Sequence, residues 1–244
     1  MPTIKLTIEY DGTAYAGWQR QPNQATIQGK IENALNCITQ QSPSVIGAGR
    51  TDAGVHANGQ VASFITHSSL PDQQWTRAIN RYLPHDISIL QSEQVEDTFH
   101  AQRSAKEKLY EYRIHLHSSR PALDYFRVWH LPRTLEIPAM QDAAATILGT
   151  HDFASFQGPR SSTSNTFCTI SGCSLDLTAS VLRIHIQGDR FLKQMVRNLV
   201  GTFVEIGQGK RSPGSIAEIL QARNRQAAGI TAPPQGLYLQ KVFY

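Results

Sequence analysis

Long apolar runs are missing from this sequence: none approaches the roughly 20 consecutive residues that a membrane-crossing helix requires. Cysteine is scarce too. Cys37, Cys168 and Cys173 lack the close pairing of a zinc site or a dithiol redox motif, and they read as ordinary buried thiols. No apolar leader is expected, because a strand-like alternation begins at Thr3 and leaves no room for a signal peptide's continuous hydrophobic stretch. The expected compartment is the cytoplasm. What is present is a chain of 244 residues with 40% hydrophobic and 17% charged side chains. That is a globular balance, long enough for one large domain or two modest ones. A net charge of +4 suits a polyanionic partner without singling one out.

Apolar periodicity predicts an α+β fold. Ile4, Leu6, Ile8 and Tyr10 alternate with Lys5, Thr7 and Glu9, as in a strand with one buried face. Thr26 is placed to cap a helix whose apolar residues Ile27, Ile31, Leu35 and Ile38 share a face. Short strands near Val45 and from Gln60 to Ile65, a helix from Trp75 to Tyr82 and a strand through Ile87 and Ile89 complete a β-α-β-β-α-β order. The order recurs from about residue 105. Tyr110, Tyr112 and Ile114 line one strand face, and a helix follows with Met140, Ala143, Ala144, Ile147 and Leu148 as its stripe and Gly149 as its C-cap. Strands at Thr169 to Leu177 and Val181 to Gln187 lead to a long helix buried through Leu192, Met195, Val196, Leu199, Val200 and Phe203. A second helix opens at Ser212 and Pro213, and a strand runs through Leu237, Leu239 and Val242. We therefore expect two ferredoxin-like halves, residues 1–104 and 105–244, with antiparallel sheets side by side and a catalytic cleft between them.

The densest chemistry lies between two predicted strands, in Gly47-Ala48-Gly49-Arg50-Thr51-Asp52-Ala53-Gly54-Val55-His56-Ala57. Its glycines permit tight turns and close approach to a ligand, although a glycine-rich stretch can equally be a plain hairpin connection. It lacks the Gly-Lys-Ser/Thr ending of a phosphate-binding loop and the third glycine of a dinucleotide fingerprint. An Arg and an Asp two residues apart remain, and a lone loop Asp is commonly a turn-former.

Gly49-Arg50-Thr51-Asp52-Ala53-Gly54-Val55-His56-Ala57 resembles the characteristic loop of the tRNA pseudouridine synthase A family. Further segments resemble that family in the same order: Glu9-Tyr10-Asp11-Gly12, Gly17-Trp18-Gln19-Arg20-Gln21, Phe99-His100-Ala101 and Tyr110-Glu111-Tyr112-Arg113. His151-Asp152-Phe153-Ala154-Ser155-Phe156, Met195-Val196-Arg197-Asn198 with Val200-Gly201, and Gly236-Leu237-Tyr238-Leu239 continue the match over nearly the whole chain. There are departures. Gln102 precedes Arg103 where many relatives carry arginine directly after the alanine, and the serine-rich segment 157–167 is short.

The resemblance implies isomerisation of uridine to pseudouridine at about positions 38 to 40 of the tRNA anticodon stem-loop. It implies no cofactor, no metal and a homodimer. It casts Asp52 as the catalytic nucleophile and Arg197 as its ion-pair partner. Tyr110 would stack on the target base, Leu237 would close the pocket, and Arg50 would contact the RNA backbone or displace the nucleotide. On periodicity, Arg190, Lys193 and Arg197 share the helix face away from the apolar stripe, which is either solvated or turned to the cleft. His56 is a candidate for RNA contact or for loop packing, and Arg20 and Arg77 for phosphate contacts. Two rivals are weaker: a non-catalytic RNA-binding protein leaves the loop around Asp52 unexplained, and an aspartyl phosphotransferase needs further carboxylates for magnesium that do not follow Asp52 closely.

Overall fold

A computed structural model describes residues 1–161 and 163–244. The fold is mixed α+β. In chain order the elements are β1 (Thr3–Tyr10), α1 (Ile27–Thr39), β2 (Ile46–Gly47), β3 (His56–Ile65), α2 (Gln74–Asn80), β4 (Ile87–Val95) and β5 (Glu107–His115). They continue with β6 (Trp129–His130), α3 (Ile137–Thr146), β7 (Gly149–Asp152), β8 (Phe167–Thr178), β9 (Val181–Gly188), α4 (Met195–Gly207), α5 (Ser215–Ala222) and β10 (Leu237–Phe243). The chain forms two compact units, one of Met1–Lys106 with Tyr238–Tyr244, the other of Glu107–Leu237.

In the first unit β1 lies between β4 and β3, antiparallel to both, and β2 pairs antiparallel with the far edge of β3. The start of that same edge is taken by β10, which runs parallel to β3 with Tyr238 opposite His56 and Leu239 opposite Ala57. The alternation of β1 puts Ile4, Leu6 and Ile8 in a core shared with Ile27, Ile31 and Leu35 of α1 and Trp75 and Ile79 of α2, all essentially inaccessible. Thr26 caps α1, its hydroxyl accepting from the Gly29 amide at 3.3 Å. On the other sheet face Lys5 pairs with Glu93 at 2.9 Å and lies over the rings of Phe99 and Tyr244.

In the second unit the strand order is β5-β9-β8-β7, each pair antiparallel, with β6 parallel along β5. Tyr112 opposes Ile184 and Ile114 opposes Leu182, so alternate residues of both strands line one buried face. Helix α4 is buried nearly all round, including Leu199, Val200, Phe203 and Asn198.

Several boundaries differ from the periodicity. Strand β3 begins at His56, earlier than Gln60, because His56 and Ala57 ladder with β10. Helix α4 begins at Met195, not at Leu192: Gln194 sits in the left-handed region at φ 58°, and Leu192 is buried from the turn before, its carbonyl accepting from the Met195 amide. Arg190 and Lys193 therefore lie outside the helix, and the helical face drawn through them does not exist. Helix α5 starts at Ser215, because the Ser212 carbonyl is engaged by the Ser215 amide and hydroxyl in a preceding turn. Gly149 opens β7 at φ +90° instead of capping α3, which leaves Leu148 exposed. Cys37 is exposed, contrary to the expectation of three buried thiols. Burial pushes the Cys168 thiol up to about 11 and that of Cys173 to about 12, so neither is a thiolate at neutral pH.

Candidate active site

Residues 48–55 connect β2 to β3, and their conformation is dictated from beneath. The Ala48 amide donates to the Val61 carbonyl at 2.7 Å, and the Gln60 side chain donates to the Gly49 carbonyl at 2.9 Å. Thr51 is buried, its hydroxyl 2.8 Å from that of Tyr10 and its carbonyl accepting from the Trp18 amide at 3.0 Å. A turn follows, closed by the Val55 amide on the Asp52 carbonyl at 3.2 Å. Gly17 is required beside it: its φ is +101°, and a Cβ there would stand 2.6 Å from the Thr51 oxygen. With Thr51 turned inwards, Arg50 on one side is exposed and Asp52 on the other is half-buried.

His56, at the end of this loop, is a packed residue with a side chain 2% exposed. Its Nδ1 accepts from the Gly12 amide at 3.1 Å and lies 3.2 Å from an Asp11 carboxylate oxygen, and its ring stacks on Tyr238 at 4.7 Å. Loop packing, not RNA contact, is its place. Asp11 is further occupied by the amide and hydroxyl of Thr13. Nearby, the buried Tyr15 hydroxyl donates to Asp86 at 2.6 Å.

The second unit carries the other expected site residues. Tyr110 lies on β5, buried, with Phe191 edge-on to its ring at 5.0 Å. Arg197 sits in the first turn of α4, half-buried, its Nε donating to the Ala232 carbonyl at 2.8 Å while the Ala232 amide donates back to the Arg197 carbonyl at 3.1 Å. One residue on, the Pro233 carbonyl accepts from the Tyr112 hydroxyl at 2.7 Å. Burial pushes Tyr112 well above the usual phenol range, against the opposing pull of the Arg197 charge. The strap 228–237 is thus fastened to both β5 and α4, and it ends at Leu237, itself buried. Arg225 completes the fastening, donating to the Gly229 carbonyl, the Asn198 side-chain oxygen and the Thr231 hydroxyl at 2.9 to 3.0 Å. Arg20 pairs with Glu32, and Lys193 donates to the Pro159 carbonyl at 3.0 Å.

On the outer face of β5, Glu111 binds the Arg113 guanidinium and accepts from His185 Nε2 at 2.9 Å. Burial disfavours its charge, but the hydrogen bonds and charges of Arg113 and His185 outweigh burial and hold the carboxyl below its ordinary 4.5. The folded protein then binds fewer protons than the unfolded chain here. The stabilisation is present above about 4.5 and is lost as pH falls through the lower, folded value. In thermal melts, the gap between the wild type and Glu111→Gln is expected to narrow as pH drops below that point. A gap constant from neutrality to acid would show that the carboxylate contributes nothing.

Sequence reading missed Tyr10, Gln60 and the strap. Tyr10 and Gln60 look like ordinary strand residues, and only their burial beside a polar loop betrays them. Among the described residues, no group of three or more His, Cys, Asp or Glu is placed to hold a metal ion, and no helix is long and apolar enough to cross a membrane.

Comparison with known proteins bears directly on this arrangement. The family model described as tRNA pseudouridine synthase matches residues 6–102 and 143–244, which take in the loop of Asp52, the helix of Arg197 and the strap. The tRNA pseudouridine synthase A of Acetivibrio thermocellus is 46% identical over 244 residues, covering the whole of both chains. The Clostridium perfringens protein named tRNA pseudouridine synthase A 2 is 42% identical and the Caldicellulosiruptor saccharolyticus tRNA pseudouridine synthase A 43% identical, again with both chains fully covered. With identity this high from end to end, the chain belongs to the tRNA pseudouridine synthase family.

Proposed function

We propose that this protein isomerises uridine to pseudouridine in the anticodon stem-loop of tRNA, at about positions 38 to 40, with Asp52 as nucleophile and no cofactor. The observation that carries the reading is the loop itself. Thr51 is locked inwards between an outward Arg50 and a half-buried Asp52, in a chain matched along its full length to tRNA pseudouridine synthases.

The chemistry is a rearrangement. The bond from C1′ to N1 breaks, the uracil turns, C5 bonds to C1′, the C5 hydrogen leaves as a proton and N1 takes one up. A carboxylate suits this by forming a covalent adduct that divides one hard step into two. A carboxylate covered by a base loses water and is driven towards its neutral form unless a cation opposes that. Arg197 is the cation we assign. Its guanidinium is aimed by the Nε bond to Ala232, as such a role demands.

Tyr110 stacks on the flipped base and Leu237 closes its other side, while Arg50 meets the RNA backbone or displaces the nucleotide from its stack. The same reading takes the protein to be a cytoplasmic homodimer and the chain to be two ferredoxin-like halves, the latter supported by the β-α-β-β-α-β order of β1 to β4.

Release of tritium from tRNA labelled at uracil C5 tests the reading, since isomerisation displaces that hydrogen and mere binding does not. Release is expected with unmodified tRNA carrying uridine in the anticodon stem-loop, and it persists in a chelator. Tight binding without release would replace the isomerase with an RNA-binding protein.

A further inference from the structure

The row of inward side chains on β1 is apolar through Ile4, Leu6 and Ile8 and turns polar only at Tyr10, where the strand reaches the loop of Asp52. On the neighbouring strand the same change occurs at Gln60, which stands opposite Ile8. Both polar side chains are buried, Tyr10 at 2% exposure and Gln60 at 0%. Their polar atoms reach the two ends of one three-residue stretch, Gly49 to Thr51. The Tyr10 hydroxyl meets the Thr51 hydroxyl at 2.8 Å, and the Gln60 amide nitrogen reaches the Gly49 carbonyl at 2.9 Å.

Stability alone gives little reason for this choice. A phenylalanine at position 10 would fill the same space, and one buried hydrogen bond contributes little net. Satisfied polar groups in a core instead fix a single arrangement of what they hold. What they hold is Thr51, whose neighbours on either side are Arg50 and Asp52. The peptide planes on either side of Thr51 carry Arg50 and Asp52, so fastening Thr51 by its hydroxyl and its carbonyl sets the direction of both neighbours. The Trp18 amide on the Thr51 carbonyl removes the remaining freedom to roll.

We propose that Tyr10 is a positioning residue for the isomerisation, acting through the Thr51 hydroxyl to aim Asp52, with Gln60 steadying the loop from the other side. The inference rests on the isomerase reading above. A misaim of a reacting group by a fraction of an ångström to an ångström lowers the rate by about 10- to 100-fold while leaving substrate binding largely intact.

The test is single-turnover pseudouridine formation at saturating tRNA, well below the melting temperature, with tRNA affinity measured in parallel. Tyr10→Phe and Thr51→Val are each expected to slow the chemical step by about 10-fold or more with affinity within about twofold. The double variant should be no slower than the worse single one, because both remove one contact. Thr51→Ser, which keeps the hydroxyl, should recover most of the rate. Rates equal to wild type in Tyr10→Phe, or a fall that follows affinity or melting temperature and ignores the serine rescue, would overturn the positioning role. A wild type that binds this tRNA but forms no pseudouridine would instead overturn the isomerase reading, and this inference with it.

Discussion

The Asp52→Asn protein should fold, bind tRNA within a few-fold of wild type and fail to turn over, with the rate reduced on the order of 10,000-fold or more. The change is nearly isosteric. It leaves the Asp52 carbonyl to close the turn with the Val55 amide, and the bonds from Tyr10 to Thr51 and from Gln60 to Gly49 stay in place. What it removes is the anionic oxygen, without which the proposed adduct cannot form and the barrier is not divided. Tritium release followed over hours, beside a melting curve and a tRNA titration, separates the three quantities. Release at an appreciable fraction of the wild-type rate would show that some other group breaks the glycosidic bond.

Gly201→Ala should be among the most damaging substitutions of a single methyl. Helix propensity argues the other way, since alanine in a helix interior is favoured over glycine by roughly 0.5–1 kcal/mol. Space decides against it. A Cβ at position 201 of α4 would lie 1.8 Å from the Ile230 carbonyl oxygen, which belongs to the strap backbone and not to a flexible side-chain end. Either the strap lifts or the helix bends. Overpacking costs about 1–3 kcal/mol, and lifting the strap also strains the bonds from Gly229 to the Thr202 hydroxyl and between Ala232 and Arg197, at roughly 1 kcal/mol each. A net loss of about 3 kcal/mol is expected, or about 10 °C in melting temperature for a chain of this size. Turnover should fall further than stability explains, because the strap holds Arg197 at one end and leads to Leu237 at the other. A variant melting at or above wild type would mean that the strap yields freely.

The sequence was most readable where one physical rule acted alone. Alternation located β1 to the residue, and a capping threonine followed by apolar spacing located α1, because both elements bury a single face. It was least readable where tertiary contacts replace a local signal. Leu192 continues the apolar spacing of α4 yet belongs to the turn before it, because burial and helicity are separate properties and Gln194 breaks the second without ending the first. That misreading placed Arg190 and Lys193 on a helix. At the site, the glycine-rich loop stood out through its composition, and its resemblance drew attention to Asp52 and Arg50. The supports did not stand out. A tyrosine at the end of an apolar row is ordinary in a strand, and the strap from 228 to 237 has no period at all, its alanines, glycines and two prolines mixed with Ile230, Thr231, Gln235 and Leu237 and held by bonds from Arg197, Tyr112 and Arg225.

The strand that shares an edge with the start of β3 lies more than 170 residues further along the chain, and this sets an order of events during synthesis. On the ribosome, β1 to β4 emerge early and can associate, but His56 has no ring to stack on and Ala57 no ladder partner until Tyr238 and Leu239 have been made. Pairing across such a sequence separation is slow to form, since loop closure must be met before the contact repays it. The segment beside the Asp52 loop is therefore among the last to settle. Nascent chains released before these residues are translated would carry every candidate catalytic side chain and still lack the finished first unit.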